Sequence, residues 1–296
     1  MAAQIINGKQ IAAEMREELK AEVAKLKKKG IVPGLGVILV GDDPASVSYV
    51  TAKGRACREA GIYSDDNRLP ASVSQQKLLA IIKKMNKDPK IHGILVQLPL
   101  PKDLNEAEVL EAIDPNKDVD GFHPVNVGKM VAGAKAFLPC TPHGVVQLLI
   151  RSGVKIEGAH VVIVGRSNIV GKPLANMLIQ KSATGNATVT VCHTRTRDLA
   201  HHTRQADILI AAAGRPNTIT ADMIKDGAVV IDVGVNRVGD AAKKQGYRLV
   251  GDVDFEAVKE KASLITPVPG GVGPMTIAML LYNTVESAKR AAGIKP

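Results

Sequence analysis

Aromatic side chains are nearly missing: Trp is absent, and Phe with Tyr makes up only 2% of 296 residues. Cores must therefore be built from Val, Ile, Leu and Ala. Nucleic acid, held in large part by stacking bases on aromatic rings, has few platforms here and is not expected as a partner. Cysteine is scarce too. Cys57, Cys140 and Cys192 are odd in number and far apart, with no CxxC spacing, so neither a disulfide framework nor a metal site is expected. No apolar stretch approaches the length of a bilayer span. The opening residues, MAAQIINGKQ, lack a basic segment followed by an apolar one. A soluble, cytoplasmic protein with no membrane partner is the expectation.

What is present is a globular composition, 45% apolar, in a chain long enough for one large or two ordinary domains. The formal charge of +10 comes from scattered lysines. Lys25, Lys27, Lys28 and Lys29 close a helical pattern, where positive charge suits a helix C-terminus. A solvated basic surface explains this charge, and a polyanionic small molecule would also be attracted to it.

Strand-like runs alternate with helical patterns throughout. Leu35–Gly41, Gly93–Gln97, Val161–Gly165, Thr188–Cys192, Ile208–Ala211 and Ala228–Asp232 read as strands. Gln75–Met85, Glu106–Ile113, His143–Arg151, Pro173–Gln180 and Met275–Ala292 read as amphipathic helices. Such alternation, with unbroken apolar strands, implies an α/β fold whose parallel sheets are covered on both faces. The proline-flanked LPCTP of Leu138–Pro142 marks a domain junction.

The stretch VVIVGRSNIVGKP (Val161–Pro173) resembles a nucleotide loop. An ATPase loop needs four residues between its glycines, then Lys and a hydroxyl residue. Here five residues separate Gly165 from Gly171, and Lys172 is followed by Pro173, so that reading fails. GxGxxG is absent as well. What remains is strand, Gly165, short loop, Gly171, and Pro173 near a helix start, which fits either a plain turn or a dinucleotide loop. The next strand favours the second. Where an NAD enzyme places an acid for the ribose, this chain offers His193, Thr194, Arg195 and Thr196. Basic and hydroxyl groups suit a 2′-phosphate, so NADP is expected, with Arg166 helping from the loop.

In the first half Tyr49 and Lys53 stand at i and i+4, on one face of a helix. The pair imitates short-chain dehydrogenases, but there the cofactor loop comes first. NKDVDG (Asn116–Gly121) imitates a calcium loop, yet Val127 occupies the glutamate position and Pro124 interrupts it. Asp118 and Asp120 can equally cap a turn. Gln97 ends an apolar strand, where open α/β sheets bind ligands. TPVPGGVGPMT (Thr266–Thr276) is rigid, exposes backbone, and suits contact with a flat ligand or a neighbouring domain.

Together, Tyr49-x-x-x-Lys53, VQLPLP (Val96–Pro101), KDVDGFHP (Lys117–Pro124), PCTP (Pro139–Pro142), GRSNIVGKP (Gly165–Pro173) and PVPGGVGPMT (Pro267–Thr276) follow one another in order. In this the chain resembles, over essentially its whole length, the bifunctional methylenetetrahydrofolate dehydrogenase/methenyltetrahydrofolate cyclohydrolase family. The resemblance implies two domains: an N-terminal α/β folate domain, 1–140 with a returning C-terminal helix 275–296, and a Rossmann-like parallel-sheet NADP domain, 141–274. It also implies a homodimer, tetrahydrofolate derivatives as substrates, and an active site in the cleft between the domains.

By the same resemblance Tyr49, Lys53, Gln97 and Asp120 are catalytic. Tyr49, Lys53, Val96, Gln97, Leu98, Asp120, Pro269, Gly270, Gly271, Gly273 and Pro274 meet the substrate. Gly165, Arg166, Ser167, Thr194, Arg195 and Val235 meet the cofactor. Chemistry fits these roles. A carboxylate such as Asp120 accepts two adjacent pterin N–H groups, and Tyr49 offers a stacking face. Hydride transfer needs mainly positioning, whereas adding water needs a proton carrier, for which Lys53 tuned by Gln97 is the candidate. A dehydrogenase without the hydrolytic step and a catalytically inert NADP-binding scaffold are the rival readings.

Overall fold

The computed structural model describes residues 2–243 and 246–294. Its strands are β1 (Gln4–Ile5), β2 (Gly34–Val40), β3 (Tyr63–Leu69), β4 (Gly93–Val96), β5 (His160–Val164), β6 (Thr188–Cys192), β7 (Ile208–Ala211), β8 (Val229–Asp232), β9 (Asn236–Gly239), β10 (Tyr247–Val250) and β11 (Leu264–Ile265). Its helices are α1 (Gly8–Lys28), α2 (Pro44–Ala60), α3 (Gln75–Lys87), α4 (Glu106–Glu111), α5 (Pro124–Val131), α6 (Cys140–Arg151), α7 (Gly171–Leu178), α8 (Leu199–Thr203), α9 (Phe255–Val258) and α10 (Val272–Ala291). Contacts divide the chain into two compact units. One comprises Ala13–Cys140 with Ile277–Pro296, the other Met1–Ala12 with Thr141–Thr276.

The first unit is built on a parallel three-stranded sheet in the order β3-β2-β4. All seven residues of β2, GLGVILV, are buried, as expected of a central parallel strand covered on both faces. Ile38, Val40, Ile94 and Val96 pack against Leu78, Ile82 and Met85 of α3 and Val109 of α4. The entry to α2 is set locally. Asp43 accepts from the Ser46 N–H at 2.9 Å, Pro44 occupies the first turn, and Gly61 at φ 77° ends the helix. The last helix returns to this unit: Asn283 Nδ2 donates to the carbonyls of Val119 (2.8 Å) and Leu138 (3.0 Å). Ser287 Oγ donates to those of His92 (2.6 Å) and Asn116 (2.9 Å).

The second unit carries a parallel sheet in the order β1-β11-β8-β7-β5-β6, and β9 and β10 form a separate antiparallel pair. The chain leaves β5 first to β6 on one side and then to β7 on the other. This reversal is the Rossmann switch point, at the carboxyl ends of the strands. Val162, Val164, Leu209, Ala211, Val230 and Ile265 fill its core beneath Ile219, Ile224 and Val258.

Several boundaries differ from the sequence reading. The first residues, assigned above to domain 1–140, join the six-stranded unit, because Gln4 and Ile5 pair with Leu264 and Ile265 and so extend that sheet. Helix α7 starts at Gly171 instead of Pro173, α6 at Cys140 instead of His143, and α10 at Val272 instead of Met275. Proline is tolerated in a first turn, where its missing N–H has no helical partner, so Pro142, Pro173 and Pro274 each sit inside the first turn of their helix instead of before it or at its first residue. Positions 295–296 of the C-terminal stretch 275–296 lie outside the described residues.

Candidate active site

In the three-stranded unit α2 presents Tyr49 and Lys53 one turn apart. Tyr49 is 44% exposed, while Lys53 is 7% exposed. The Gln97 N–H extends the ladder beyond β4 by donating to the Ile38 carbonyl at 2.9 Å, which puts its side chain at the carboxyl end of the sheet. Lys53 Nζ donates to Gln97 Oε1 at 2.9 Å, and Gln97 Nε2 donates to the Leu98 carbonyl at 2.6 Å. The amide is thereby fixed in one orientation, oxygen toward the ammonium. The Lys53 nitrogen is in turn held at a fixed point at the carboxyl end of the sheet. Val96 is buried in β4, and Leu98 precedes Pro99 through a cis peptide bond.

Asp120 completes this cluster electrostatically. Burial lifts its carboxyl above the ordinary range; the charge of Lys53 opposes this, Asp118 adds to it, and a hydrogen bond from Cys140 opposes it. The Cys140 thiol is pushed well up, by burial first and Asp120 second. The two acids of NKDVDG have separate tasks. Asp118, 2% exposed, accepts from the N–H groups of Gly121 (3.1 Å), Phe122 (3.2 Å) and His123 (2.9 Å) and from Asn126 Nδ2 (2.8 Å). Asp118 is the turn cap, and the Asp120 carboxylate faces Lys53 and Cys140.

In the six-stranded unit both glycines of the quoted loop are required by close approach. Gly165 has φ 145°, and a Cβ there would lie 2.2 Å from the Ala212 carbonyl oxygen; a Cβ on Gly171 would lie 2.1 Å from that of Gly165. Ser167 Oγ accepts from the N–H groups of Val170 (3.1 Å) and Gly171 (3.4 Å), and Arg166 projects into solvent. After β6 a turn closes on itself: the His193 N–H donates to Thr196 Oγ1 (2.8 Å) and the Arg195 N–H to His193 Nδ1 (3.1 Å). Thr194 and Arg195 are left exposed. Val235, after β8, is 47% exposed. Pro269 is exposed, Gly270 adopts φ 108° and accepts from the Lys9 N–H at 3.0 Å, and a Cβ on Gly8 would lie 1.9 Å from the Gly271 oxygen. Gly273 and Pro274 lie in the first turn of α10 and not in the preceding loop. Thus Tyr49, Lys53, Val96, Gln97, Leu98 and Asp120 belong to one unit, and Pro269–Pro274 with the six cofactor candidates to the other.

A family model for the tetrahydrofolate dehydrogenase/cyclohydrolase catalytic domain matches residues 6–120, and one for the NAD(P)-binding domain of the same family matches residues 139–292. The chain belongs to the tetrahydrofolate dehydrogenase/cyclohydrolase family. It is 64% identical to the bifunctional protein FolD of Syntrophus aciditrophicus, over 99% of this chain and 100% of that one. Among solved structures, the FolD methylenetetrahydrofolate dehydrogenase/cyclohydrolase of Campylobacter jejuni matches with a TM-score of 0.92 and 53% identity, covering 98% of this chain and 99% of that one. The Trypanosoma brucei FolD, solved with NADP cofactor and inhibitor, matches with a TM-score of 0.94 and 42% identity, covering 99% of each.

Within this family framework the sequence reading passed over two buried acids of the six-stranded unit. Asp232 ends β8, and Asp252 follows β10; they are 3% and 0% exposed. The signal was available. An acid closing the apolar run VVID stands where Gln97 stands in ILVQ, at the carboxyl end of a parallel strand.

Proposed function

We propose that this chain oxidises 5,10-methylenetetrahydrofolate to the 5,10-methenyl form with NADP+ and then hydrolyses that product to 10-formyltetrahydrofolate, in one-carbon metabolism. The observation that carries the reading is the buried Lys53–Gln97 pair, 2.9 Å apart, in a chain whose two parts match both domains of the family.

Folate binds through Ala13–Cys140, with Tyr49 stacking on the pterin and Asp120 accepting its adjacent N–H groups. Val96, Leu98, Pro269, Gly270, Gly271, Gly273 and Pro274 shape the substrate contacts. Lys53 moves the proton that hydrolysis demands, and Gln97 holds the ammonium in place. The six-stranded unit binds NADP, which supplies a hydride acceptor when bound. The residues fit it: Gly165 leaves room where a Cβ would strike Ala212, and the β6 turn offers exposed Thr194 and Arg195 in place of a ribose-binding acid. Arg166 and Ser167 complete the phosphate contacts, and Val235 meets the cofactor's other half. The protein acts as a cytoplasmic homodimer, without nucleic-acid or membrane partners. No helix among the described residues is long and apolar enough to cross a membrane.

Incubating the pure protein with methylenetetrahydrofolate and NADP+ tests the activity. Methenyl absorbance should appear and then decay faster than the uncatalysed background. Lack of the first signal removes the dehydrogenase, and decay at the background rate removes the hydrolase. Sedimentation of the same sample tests the dimer.

A further inference from the structure

The two buried acids of the six-stranded unit form a continuous hydrogen-bonded chain. Thr266 Oγ1 accepts from the Asp232 N–H at 2.7 Å. The Asp232 carboxylate accepts from the N–H groups of Gly234 (3.0 Å), Asp252 (2.9 Å) and Val253 (3.0 Å). One oxygen of Asp252 accepts from the N–H groups of Ala213 (2.6 Å) and Gly214 (2.8 Å), and the other from Asn236 Nδ2 (2.8 Å). The fit is close: a Cβ on Gly251 would lie 1.8 Å from Asp232 Oδ2, and one on Gly234 would lie 2.2 Å from Asp252 Oδ1.

These partners share one location. Ala213 and Gly214 follow β7, Gly234 follows β8 and Asn236 opens β9 directly after it, and Thr266 follows β11, so a single network ties the segments beyond three neighbouring strands. All three strands lie on one side of β5. The turn after β6, on the other side, takes no part and is closed by its own hydrogen bonds. In a sheet of this topology a dinucleotide straddles the switch point, one half over each side. The turn with Thr194 and Arg195 suits the 2′-phosphate, so the nicotinamide half falls over the loops that Asp252 holds. Ala212, whose carbonyl approaches Gly165 so closely, begins one of them.

We infer that Asp252, held by Asp232, is a positioning residue for the nicotinamide half of NADP, fixing the loops after β7 and β8 without serving the adenosine half. This rests on the NADP reading given above. A buried carboxylate suits the task because charged acceptors make the stronger hydrogen bonds to backbone N–H groups and leave little freedom in the loop.

Calorimetric titration with NADP and with 2′,5′-ADP, which carries only the adenosine half, separates the outcomes. Asp252→Asn places a donor where Asn236 already donates. It should weaken NADP binding about tenfold, the scale of one lost charged hydrogen bond. Binding of 2′,5′-ADP should stay within about twofold, as for independent sites. Asn236→Ser leaves the carboxylate in place and should shift NADP in the same direction by less, which keeps the test alive if Asp252→Asn folds poorly. Unchanged NADP binding in both variants, or equal weakening of both ligands, overturns the inference. A wild-type protein that binds neither ligand overturns the NADP reading itself and this inference with it.

Discussion

The two units solve different electrostatic problems. In the three-stranded unit the candidate groups are side chains drawn from separate elements, Lys53 from α2, Gln97 from the end of β4 and Asp120 from a loop, and the ammonium is buried. In the six-stranded unit the candidate groups are mostly backbone, with glycines at points of close approach and exposed Arg166, Thr194 and Arg195. A proton carrier has to be desolvated and oriented to work, so it needs a built pocket. A phosphate keeps its charge and is met by N–H groups and mobile cations, so it needs only room and positive potential.

The sharpest way to break this contrast is Lys53→Met, which keeps much of the side-chain length but carries no proton. Hydrolysis of supplied methenyltetrahydrofolate should fall about 10²–10⁴-fold, with a smaller loss in NADPH formation. Wild-type hydrolysis would make Lys53 a spectator. Next in size, Arg195→Ala or Arg166→Ala should lower kcat/KM for NADP by about 10–100-fold, the loss of one charge-assisted phosphate contact, and leave NAD nearly unaffected. Equal use of NAD by the wild type would remove the 2′-phosphate reading. Asp120→Asn preserves shape but exchanges an acceptor for a donor. Calorimetry should register folate binding about tenfold weaker, with NADP unchanged.

The smallest effect concerns pH. Burial raises Asp232 to about 6, and the charge of Asp252 adds to this against the backbone N–H groups that lower it. An unfolded aspartate titrates near ~3.9. The folded chain therefore holds a proton that the unfolded chain has lost between these values. The stabilisation is full below about pH 4 and is lost as pH rises through about 6, with a slope of at most about 1.4 kcal/mol per pH unit. Asp207, lowered chiefly by its hydrogen bond from Lys225, acts in the opposite sense at lower pH and cancels between variants. Thermal unfolding of wild type and Asp232→Asn should thus converge or cross as pH rises from 4 to 6.5. A difference that ignores pH would show that Asp232 stays ionised.

Strands β2, β4, β5, β7 and β8 were legible because a parallel strand covered on both faces must be apolar throughout. Strand β6, partly exposed at the sheet edge, was legible through its β-branched TVTV. Strand β3, YSDDNRL, was not. At the sheet edge none of its residues is fully buried, and three charged side chains obscure its period. The short strands β1 and β11 carry no pattern of their own and owe their pairing to the completed sheet. Lys53 and Gln97 were legible as positions, one on a helix face and one at a strand end. Their 2.9 Å hydrogen bond depends on how α2 packs over β2 and β3 and so reaches the end of β4, which no local spacing encodes. Local chemistry let either Asp118 or Asp120 cap the turn; the resemblance singled out Asp120 for the substrate, and the turn geometry gives the cap to Asp118.

The attachment of α10 also sets an order of assembly. Asn283 and Ser287 satisfy carbonyls of His92, Asn116, Val119 and Leu138, at sequence separations of 145 to 195 residues. During synthesis those acceptors emerge long before their donors, and the whole of Thr141–Thr276 must leave the ribosome in between. The six-stranded unit can close first, while the loop carrying Asp120 waits for the last turns of the chain. A chain truncated before Asn283 would then keep its six-stranded fold and leave the loop around Val119 without this donor, so proteolysis of the truncated chain should cut Ala13–Cys140 first.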